Sequence, residues 1–271
     1  MDHGWDHSAR AWIDVIGEDG DWGRKYVLDA PMLAEVDAMA PRRLLDLGCG
    51  EGRFCRLAAA RGITTVGIDP TAALIDEARR RHPEGDYRVE GAEALSLDDA
   101  SVDLVVAYLS LIDIADLDAA LRECRRVLRP GGHLLIANLQ AFNTAAVPLG
   151  WTREPDGSRR FCIDHYLQER PVETAWRGIR IINWHRPLST YMAGLLDEGF
   201  VLEHFAEPAP QGVDDDKADR LGRQHHPAGE PDAAAGRHIE HQRMAEVTEG
   251  KGLAGIQHED DRMRPAEPCR N

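Results

Sequence analysis

The stretch LLDLGCGEG at residues 44–52 joins a run of apolar residues to a loop that is rich in glycine. The apolar residues 44–47 predict a buried strand, and residues 51–61 predict a helix that ends at Gly62. Glycine lets the backbone turn sharply and lets a ligand approach it closely. A tight strand–helix turn needs glycine for its own geometry, so this unit alone leaves the presence of a cofactor open.

The same alternation of strand and helix continues after this unit. Short apolar runs and amphipathic segments follow one another, with strands expected at 63–68, 87–89, 102–108 and 133–139 and helices at 71–81 and 116–128. Two further helices, at 8–16 and 24–39, precede the unit. Repeated strand–helix–strand units with nearly continuous apolar strands predict an α/β fold, with a doubly wound and mainly parallel sheet covered by helices on both faces.

Two acidic residues narrow the choice of ligand. Asp69 ends the second predicted strand, where a carboxylate can accept hydrogen bonds from both hydroxyls of a ribose. The dinucleotide fingerprint would place its third glycine at position 53, which is Arg53 here. Asp46 would be poorly placed beside a pyrophosphate but well placed beside a sulfonium or an ammonium group. These residues favour an adenosine-like cofactor that carries no pyrophosphate.

At this point a family resemblance becomes specific. Residues 44–52 and the motif GIDP at 67–70 resemble the first two motifs of class I S-adenosylmethionine-dependent methyltransferases. Further segments resemble the later motifs of the small-molecule subgroup often called type 11, namely 93–95 with 101–105, 126–132, and 185–188 through 199–200. The resemblance covers roughly residues 20–210. It implies a Rossmann-like fold, S-adenosyl-L-methionine as cofactor and methyl transfer to a small organic acceptor.

The resemblance also implies which residues hold the cofactor. They lie in the preceding helix, the glycine loop, the end of the second strand, the adenine-side loop and the fourth strand, namely Arg24, Asp46, Gly48, Cys49, Gly50, Asp69, Pro70, Ala92, Glu93 and Tyr108. Arg24 would pair with the methionine carboxylate, or is a solvated helix charge. The family commonly has Asp where this chain has Gly91, so Glu93 or backbone carbonyls are expected to contact the adenine amine.

The segment 140–186 is much longer than an ordinary connection and leaves the carboxyl end of the fifth strand. Its aromatic residues predict a lid over an acceptor pocket. We expect His165 and His185 to be candidate catalytic bases, although either histidine could instead cap a helix or hold the lid. Candidate substrate-binding residues are Asp113, Trp151, Tyr166 and Tyr191.

Composition excludes several classes of protein. The chain has 271 residues and a formal net charge of −15, which argues against sequence-independent binding of nucleic acid. No apolar run is long enough to span a membrane, and the N-terminus does not resemble a secretory signal. The five cysteines contain no C-x-x-C motif and predict reduced thiols in a cytoplasmic protein. The sequence leaves the oligomeric state open.

The C-terminal part of the chain has a different composition. Residues 211–271 contain no Phe, Trp or Tyr and few aliphatic residues. We therefore expect residues 1–210 to form the methyltransferase domain, with 211–271 a disordered or aberrant tail and the last antiparallel strand missing or poorly formed. The pair His238 and His241 lacks a third strong ligand at suitable spacing, so we predict no metal site.

Two other functions remain as alternatives. A nicotinamide-dependent oxidoreductase could use the same sheet, although Arg53 and the later motifs disfavour it. A non-catalytic partner protein could bind S-adenosylmethionine without methylating an acceptor. A DNA-base methyltransferase is disfavoured by the acidic charge and by the sequence AYLS at 107–110, where the amino-methyltransferase signature would fall.

Overall fold

A computed structural model describes residues 3–212 and the strand Gln242–Glu249. Its centre is a seven-stranded sheet. Two further sheets of two strands each stand beside it.

The elements alternate along the chain much as the sequence predicts. The helices are α1 (Trp5–Ile16), a π-helical segment (Arg24–Leu28), α2 (Asp29–Met39), α3 (Arg53–Ala59), α4 (Ala72–Arg81), α5 (Leu117–Val127), α6 (Ala141–Ala145) and α7 (Leu188–Asp197). The strands of the central sheet are β1 (Arg43–Leu47), β2 (Thr64–Asp69), β3 (Asp86–Val89), β4 (Val102–Tyr108), β5 (Leu128–Leu139), β10 (Phe200–Ala206) and β11 (Gln242–Glu249). The remaining strands are β6 (Gly150–Arg153), β7 (Arg159–Cys162), β8 (Arg170–Trp176) and β9 (Ile179–His185).

Five strands, β3, β2, β1, β4 and β5, run parallel to one another. Strand β1 lies between β2 and β4, so the order of the chain reverses beside β1. In open α/β sheets the crevice at such a reversal, outside the carboxyl ends of the strands, is where ligands bind. The glycine loop follows β1 directly and therefore lies at this crevice. The predicted α/β class and doubly wound parallel sheet are confirmed.

Apolar side chains cover both faces of the sheet. On one face, Leu45 and Val105 pack with residues of α5 and α7. On the other face, Leu44 and Leu104 pack with residues of the π-helical segment, α2 and α3. Strands buried on both faces explain why the sequence of each strand is nearly continuous in apolar residues.

The predicted lid consists of two antiparallel hairpins. Strands β6 and β7 form the first hairpin, and β8 and β9 form the second. The second hairpin contacts α1, since the Ile182 amide donates to the His3 carbonyl and the Ser8 hydroxyl donates to the Arg180 carbonyl at 2.9 Å. The lid is therefore held by the N-terminal helix as well as by the sheet.

The prediction of a missing last strand is wrong. Strand β11 pairs antiparallel with both β5 and β10. Its sequence, QRMAEVTE, has too little hydrophobic content to stand out as a strand, but pairing on both sides satisfies its backbone hydrogen bonds. The rest of the predicted tail, residues 213–241 and 250–271, lies outside the described residues, as does the pair His238 and His241.

Candidate active site

The glycine loop touches the loop that follows β4. A Cβ atom added at Gly48 would lie 2.5 Å from the Cβ of Ser110, so only glycine fits there. The Ser110 hydroxyl donates to the Leu47 carbonyl at 2.5 Å. At Gly50, by contrast, the nearest atom to an added Cβ would be Trp12 Nε1 at 3.7 Å. Gly48 thus joins two loops, while a side chain at Gly50 would only reach ordinary contact distance from Trp12.

Three acidic side chains lie buried around this loop: Asp46, Glu51 and Asp69. Burial, together with the charges of Glu51 and Asp69, raises the pKa of Asp46 to about 7. Burial also raises the pKa of Asp69, against the hydrogen bonds that it accepts from the amides of Thr71 and Gly50. We call these three residues the acidic cradle. Clustered carboxylates of this kind favour a cationic ligand.

Arg24 closes the cleft from the N-terminal side. Its guanidinium lies 5.0 Å from the ring centroid of Trp12 and 5.5 Å from that of Tyr108. It also donates to Asp21 at 2.5 Å. Stacked between two rings at the start of a π-helical segment, Arg24 has a fixed orientation and is not a solvated helix charge.

Arg53, at the position of the missing third glycine, has a structural partner. It donates to both carboxylate oxygens of Asp29, at 2.9 and 2.5 Å, and the Tyr108 hydroxyl donates to the same carboxylate at 2.9 Å. Its guanidinium also occupies the space that a side chain at Gly20 would need. This network fixes the N-terminal segment against the start of α3 and the end of β4.

On the adenine side, Ala92 is buried, Glu93 is half-buried and Pro70 is exposed. A Cβ atom at Gly91 would lie 2.8 Å from the carboxylate of Glu93, so this carboxylate stands over Gly91. This placement suits the expectation that Glu93 contacts the adenine amine in place of the Asp that the family commonly has at position 91. Cys49 is buried and packs with Cys55 beneath the loop.

Asp113 lies in the loop after β4, three residues beyond the contact between Ser110 and Gly48. Its carboxylate accepts a hydrogen bond from Asn183 of β9 at 2.5 Å and one from Trp5 of α1. Burial raises its pKa to about 7. The side chain thus stands where the second hairpin, the N-terminal helix and the cofactor edge of the sheet meet.

The loop that carries Asp113 is held by the end of the second hairpin. Arg186 is buried and donates to the carbonyls of Leu111, Ile114 and Ala115, at 3.3, 2.7 and 2.7 Å. The Trp184 amide donates to the Ile112 carbonyl at 2.6 Å. We call this set of bonds the hairpin clamp.

The two candidate bases occupy different environments. His185 is fully buried, and its ring nitrogens contact the Thr144 hydroxyl at 2.7 Å and the Tyr166 carbonyl at 2.8 Å. Burial lowers the pKa of His185. His165 is exposed in the turn before the second hairpin and lies 3.4 Å from Asp164. The structure therefore holds His185 by protein groups at both nitrogens and does not bring it together with His165.

Two of the candidate substrate-binding residues share a cavity. Tyr166 and Tyr191 line an apolar cavity at the carboxyl end of β5, together with Asn138 and residues of α6, α7 and β10. Trp151 lies elsewhere, in the first hairpin, where it packs on Phe161 with its ring partly exposed. Tyr191 also hydrogen-bonds Arg186, so one residue of the cavity lining contacts the hairpin clamp.

Several residues of the site are absent from the sequence-based prediction. Glu51 and Arg186 lie within segments that resemble family motifs but were not assigned a role, and no motif marks Trp5, Trp12 or Asn183. Arg186 stands in the dipeptide Arg-Pro before α7, which indicates a helix start but gives no sign of three carbonyl partners far along the chain. Within the described residues, no group of three metal-binding side chains could hold a metal ion.

Comparison with known proteins agrees with this geometry. Residues 45–136 match a family model described as a methyltransferase domain. The chain is similar to malonyl-[acyl-carrier protein] O-methyltransferases of Serratia marcescens, at 33% identity over 51% of this chain and 53% of the relative, and of Methylococcus capsulatus, at 31% over 64% and 66%. It thus spans about half to two thirds of the length of these curated relatives.

The chain belongs to the class I S-adenosylmethionine-dependent methyltransferases and has their fold. A solved S-adenosylmethionine-dependent methyltransferase from Mesorhizobium loti superposes with a TM-score of 0.66 at 27% identity, over 85% of this chain and 99% of that one. The residues of the site fit the cofactor of this family. The acidic cradle suits a sulfonium and an ammonium, and Arg24 suits a carboxylate.

Proposed function

We propose that the protein transfers a methyl group from S-adenosylmethionine to a small organic acceptor. The observation that carries this proposal is the acidic cradle at the carboxyl ends of β1 and β2. Glu51 is paired with Arg56 at 3.5 Å and Arg81 at 3.8 Å, whereas the partners of Asp46 and Asp69 are neutral donors. A further cation beside Asp46 and Asp69 would offset the cost of burying them. S-adenosylmethionine supplies that cation, and its sulfonium makes the methyl carbon electrophilic.

The residues of this chain have separable parts in holding the methyl donor. We assign the ribose hydroxyls to Asp69 and the adenine side to Ala92, Glu93 and Pro70. Asp46, Gly48, Cys49 and Gly50 line the methionine and ribose portion, and Tyr108 borders the methyl end. Arg24 pairs with the methionine carboxylate, since its stacking between two rings leaves the guanidinium in a defined plane.

The acceptor pocket is the apolar cavity under the lid, with Tyr166 and Tyr191 as binding residues. Its lining suits an organic small molecule better than a charged polymer. His165 and His185 stay candidate bases, and Trp151 stays a candidate lid contact. We place the methyltransferase domain at residues 1–210 together with strand Gln242–Glu249, which belongs to the same sheet, and we place the lid at 140–186.

The same proposal covers partners and location. The acidic net charge disfavours nucleic acid as a substrate. Cys49, Cys55, Cys124 and Cys162 are free thiols, which supports a cytoplasmic protein. Among the described residues, we find no helix with the length and apolar character that crossing a membrane would need.

Binding of S-adenosylhomocysteine tests the cofactor part of the proposal. Calorimetry should detect binding to the wild type, with affinity reduced about 10- to 100-fold in Asp69→Asn because charge-assisted hydrogen bonds are lost. Asp76→Asn, on an exposed position of α4, is the matched control and should bind like the wild type. Stabilisation by NADPH but not by S-adenosylhomocysteine would favour the oxidoreductase instead.

Methyl transfer itself is tested with S-adenosylmethionine labelled in its methyl group and a metabolite extract. Label should appear in a small molecule with the wild type and fall strongly with Asp69→Asn. Cofactor binding without label in any small molecule would favour a non-catalytic partner protein.

A further inference from the structure

We propose that Asp113 is the catalytic base that removes the proton from a hydroxyl acceptor during methyl transfer. This inference rests on the proposed function and names the acceptor class, an alcohol or a phenol. It stands on the position of the Asp113 carboxylate at the meeting point of the second hairpin, α1 and the glycine loop.

Three contacts fix the position of the Asp113 loop relative to the methyl donor. Ser110, at the start of this loop, blocks the space above Gly48 and donates to Leu47. The Asp113 amide donates back to the Ser110 carbonyl at 2.9 Å, which turns the chain toward the cleft. Arg186 then holds the carbonyls on both sides of Asp113. The carboxylate is therefore positioned by rigid elements and not by a free loop.

The Asp113 carboxyl has the chemical features that a base needs. The residue as a whole is only half-buried, at the edge of the sheet where the cofactor binds. Asn183 and Trp5 donate to it and stabilise its charged form, while burial favours the protonated form. A carboxyl group balanced in this way can take up and release a proton near neutral pH.

The charged groups around Asp113 come from every element that packs on it. The charge of Asp69 raises the pKa of Asp113, and the charge of Arg24 lowers it. Arg186 and Tyr191 complete the set on the side of α7, since the pKa of Tyr191 is raised by burial and, more weakly, by the charge of Asp113.

The acceptor oxygen forms a bond to the methyl carbon while the bond between that carbon and the sulfonium sulfur breaks, and the electron pair of that bond stays on sulfur. The hydroxyl proton moves to Asp113 and is later released to water. A carboxylate acceptor, which carries no proton at neutral pH, would not need this base.

The test uses labelled S-adenosylmethionine with a panel of simple alcohols, phenols and carboxylic acids, assayed from pH 6 to 9. The wild type should methylate a hydroxyl acceptor, and its kcat should rise with pH and level off above about pH 7. Asp113→Asn should lower this kcat about 100-fold or more and leave the affinity for S-adenosylhomocysteine unchanged. Asp197→Asn, at an exposed position of α7, is the control for a carboxylate lost elsewhere.

A second variant separates a base from a structural residue. Asn183→Ala removes a donor that favours the charged carboxylate, so the rise of kcat should move to higher pH by about one unit. Transfer by Asp113→Asn at the wild-type rate, transfer to carboxylic acids alone, or an unmoved pH profile in Asn183→Ala would overturn the proposal. No transfer by the wild type to any acceptor would overturn the proposed function as well.

Discussion

The acidic cradle and the hairpin clamp both bury charge at the same edge of the sheet, but in opposite ways. In the cradle, burial raises the pKa of both Asp46 and Asp69, and the charge of Glu51 adds to the rise at each. In the clamp, the charge of Arg186 is met by three backbone carbonyls. In the cradle, Arg56 and Arg81 pair with Glu51, and the carboxylates of Asp46 and Asp69 are left to bind a cationic ligand, whereas the clamp pairs its charge within the chain. One region is built for a ligand and the other for holding a loop.

The largest effect is expected from removing the clamp. Arg186→Gln leaves buried carbonyls without their donors and should lower the free energy of unfolding by about 3 kcal/mol. Urea denaturation measures this loss. Arg180→Gln is the matched control, because Arg180 is exposed and pairs with the exposed Glu173, and it should change stability by no more than ~0.5 kcal/mol. Equal effects of the two variants would show that the clamp contributes no more than a surface pair.

The cost of burying the Asp46 carboxylate should make the free energy of unfolding depend on pH. Folding raises the pKa of Asp46, so the native state keeps a proton that the unfolded state releases near its ordinary value. Stability therefore falls as pH rises from the unfolded pKa to about 7, and stays level above. In Asp46→Asn the loss of stability between pH 5 and 8 should be smaller by about 2 kcal/mol.

Asp86 provides the control for this measurement. The Arg88 side chain lowers the pKa of Asp86, so this carboxylate is ionised in the folded and unfolded states throughout pH 5 to 8. Asp86→Asn should leave the slope of stability against pH unchanged. Parallel curves of stability against pH for the wild type and Asp46→Asn would mean that folding does not raise the pKa of Asp46.

The smallest effect is expected from replacing Arg24 beside the acidic cradle. Arg24→Lys keeps the positive charge but loses the flat group between Trp12 and Tyr108, at a cost of about 1 kcal/mol in binding. The affinity for S-adenosylhomocysteine should fall about fivefold by calorimetry. Lys25→Arg, at an exposed neighbouring position, should bind like the wild type. An unchanged affinity in Arg24→Lys would remove Arg24 from the cofactor site.

The cradle could be predicted from sequence because its information is local. The loop at 44–52 and Asp69 lie on consecutive elements, and the spacing of strand, glycine and acid follows from the topology. The clamp could not, because Arg186 bonds to a loop about seventy residues earlier in the chain. The hydrogen bond between Asn183 and Asp113 also joins distant parts of the chain. Topology predicted a role for Asp113, but it did not predict this bond.

Strand β11 was missed for a different reason. Pairing with β5 and β10 supplies its hydrogen bonds, so its sequence needs little hydrophobic content of its own. Composition alone therefore suggested a tail where the sheet has an inner strand. Local propensity is a weak guide wherever neighbouring strands determine the structure.

The place of β11 in the sheet has a consequence for biosynthesis. It lies between β5 and β10, yet it is the last of the three to leave the ribosome. When β10 emerges it has no strand to pair with in this sheet, and the edge of β5 stays open until residues 207–241 have also been made. During that interval the nascent chain presents an unprotected strand edge, which is a template for pairing with other chains. The sheet is complete only after Glu249 has been made, so a chain that stops before Gln242 would keep the edge of β5 open and would be prone to aggregate.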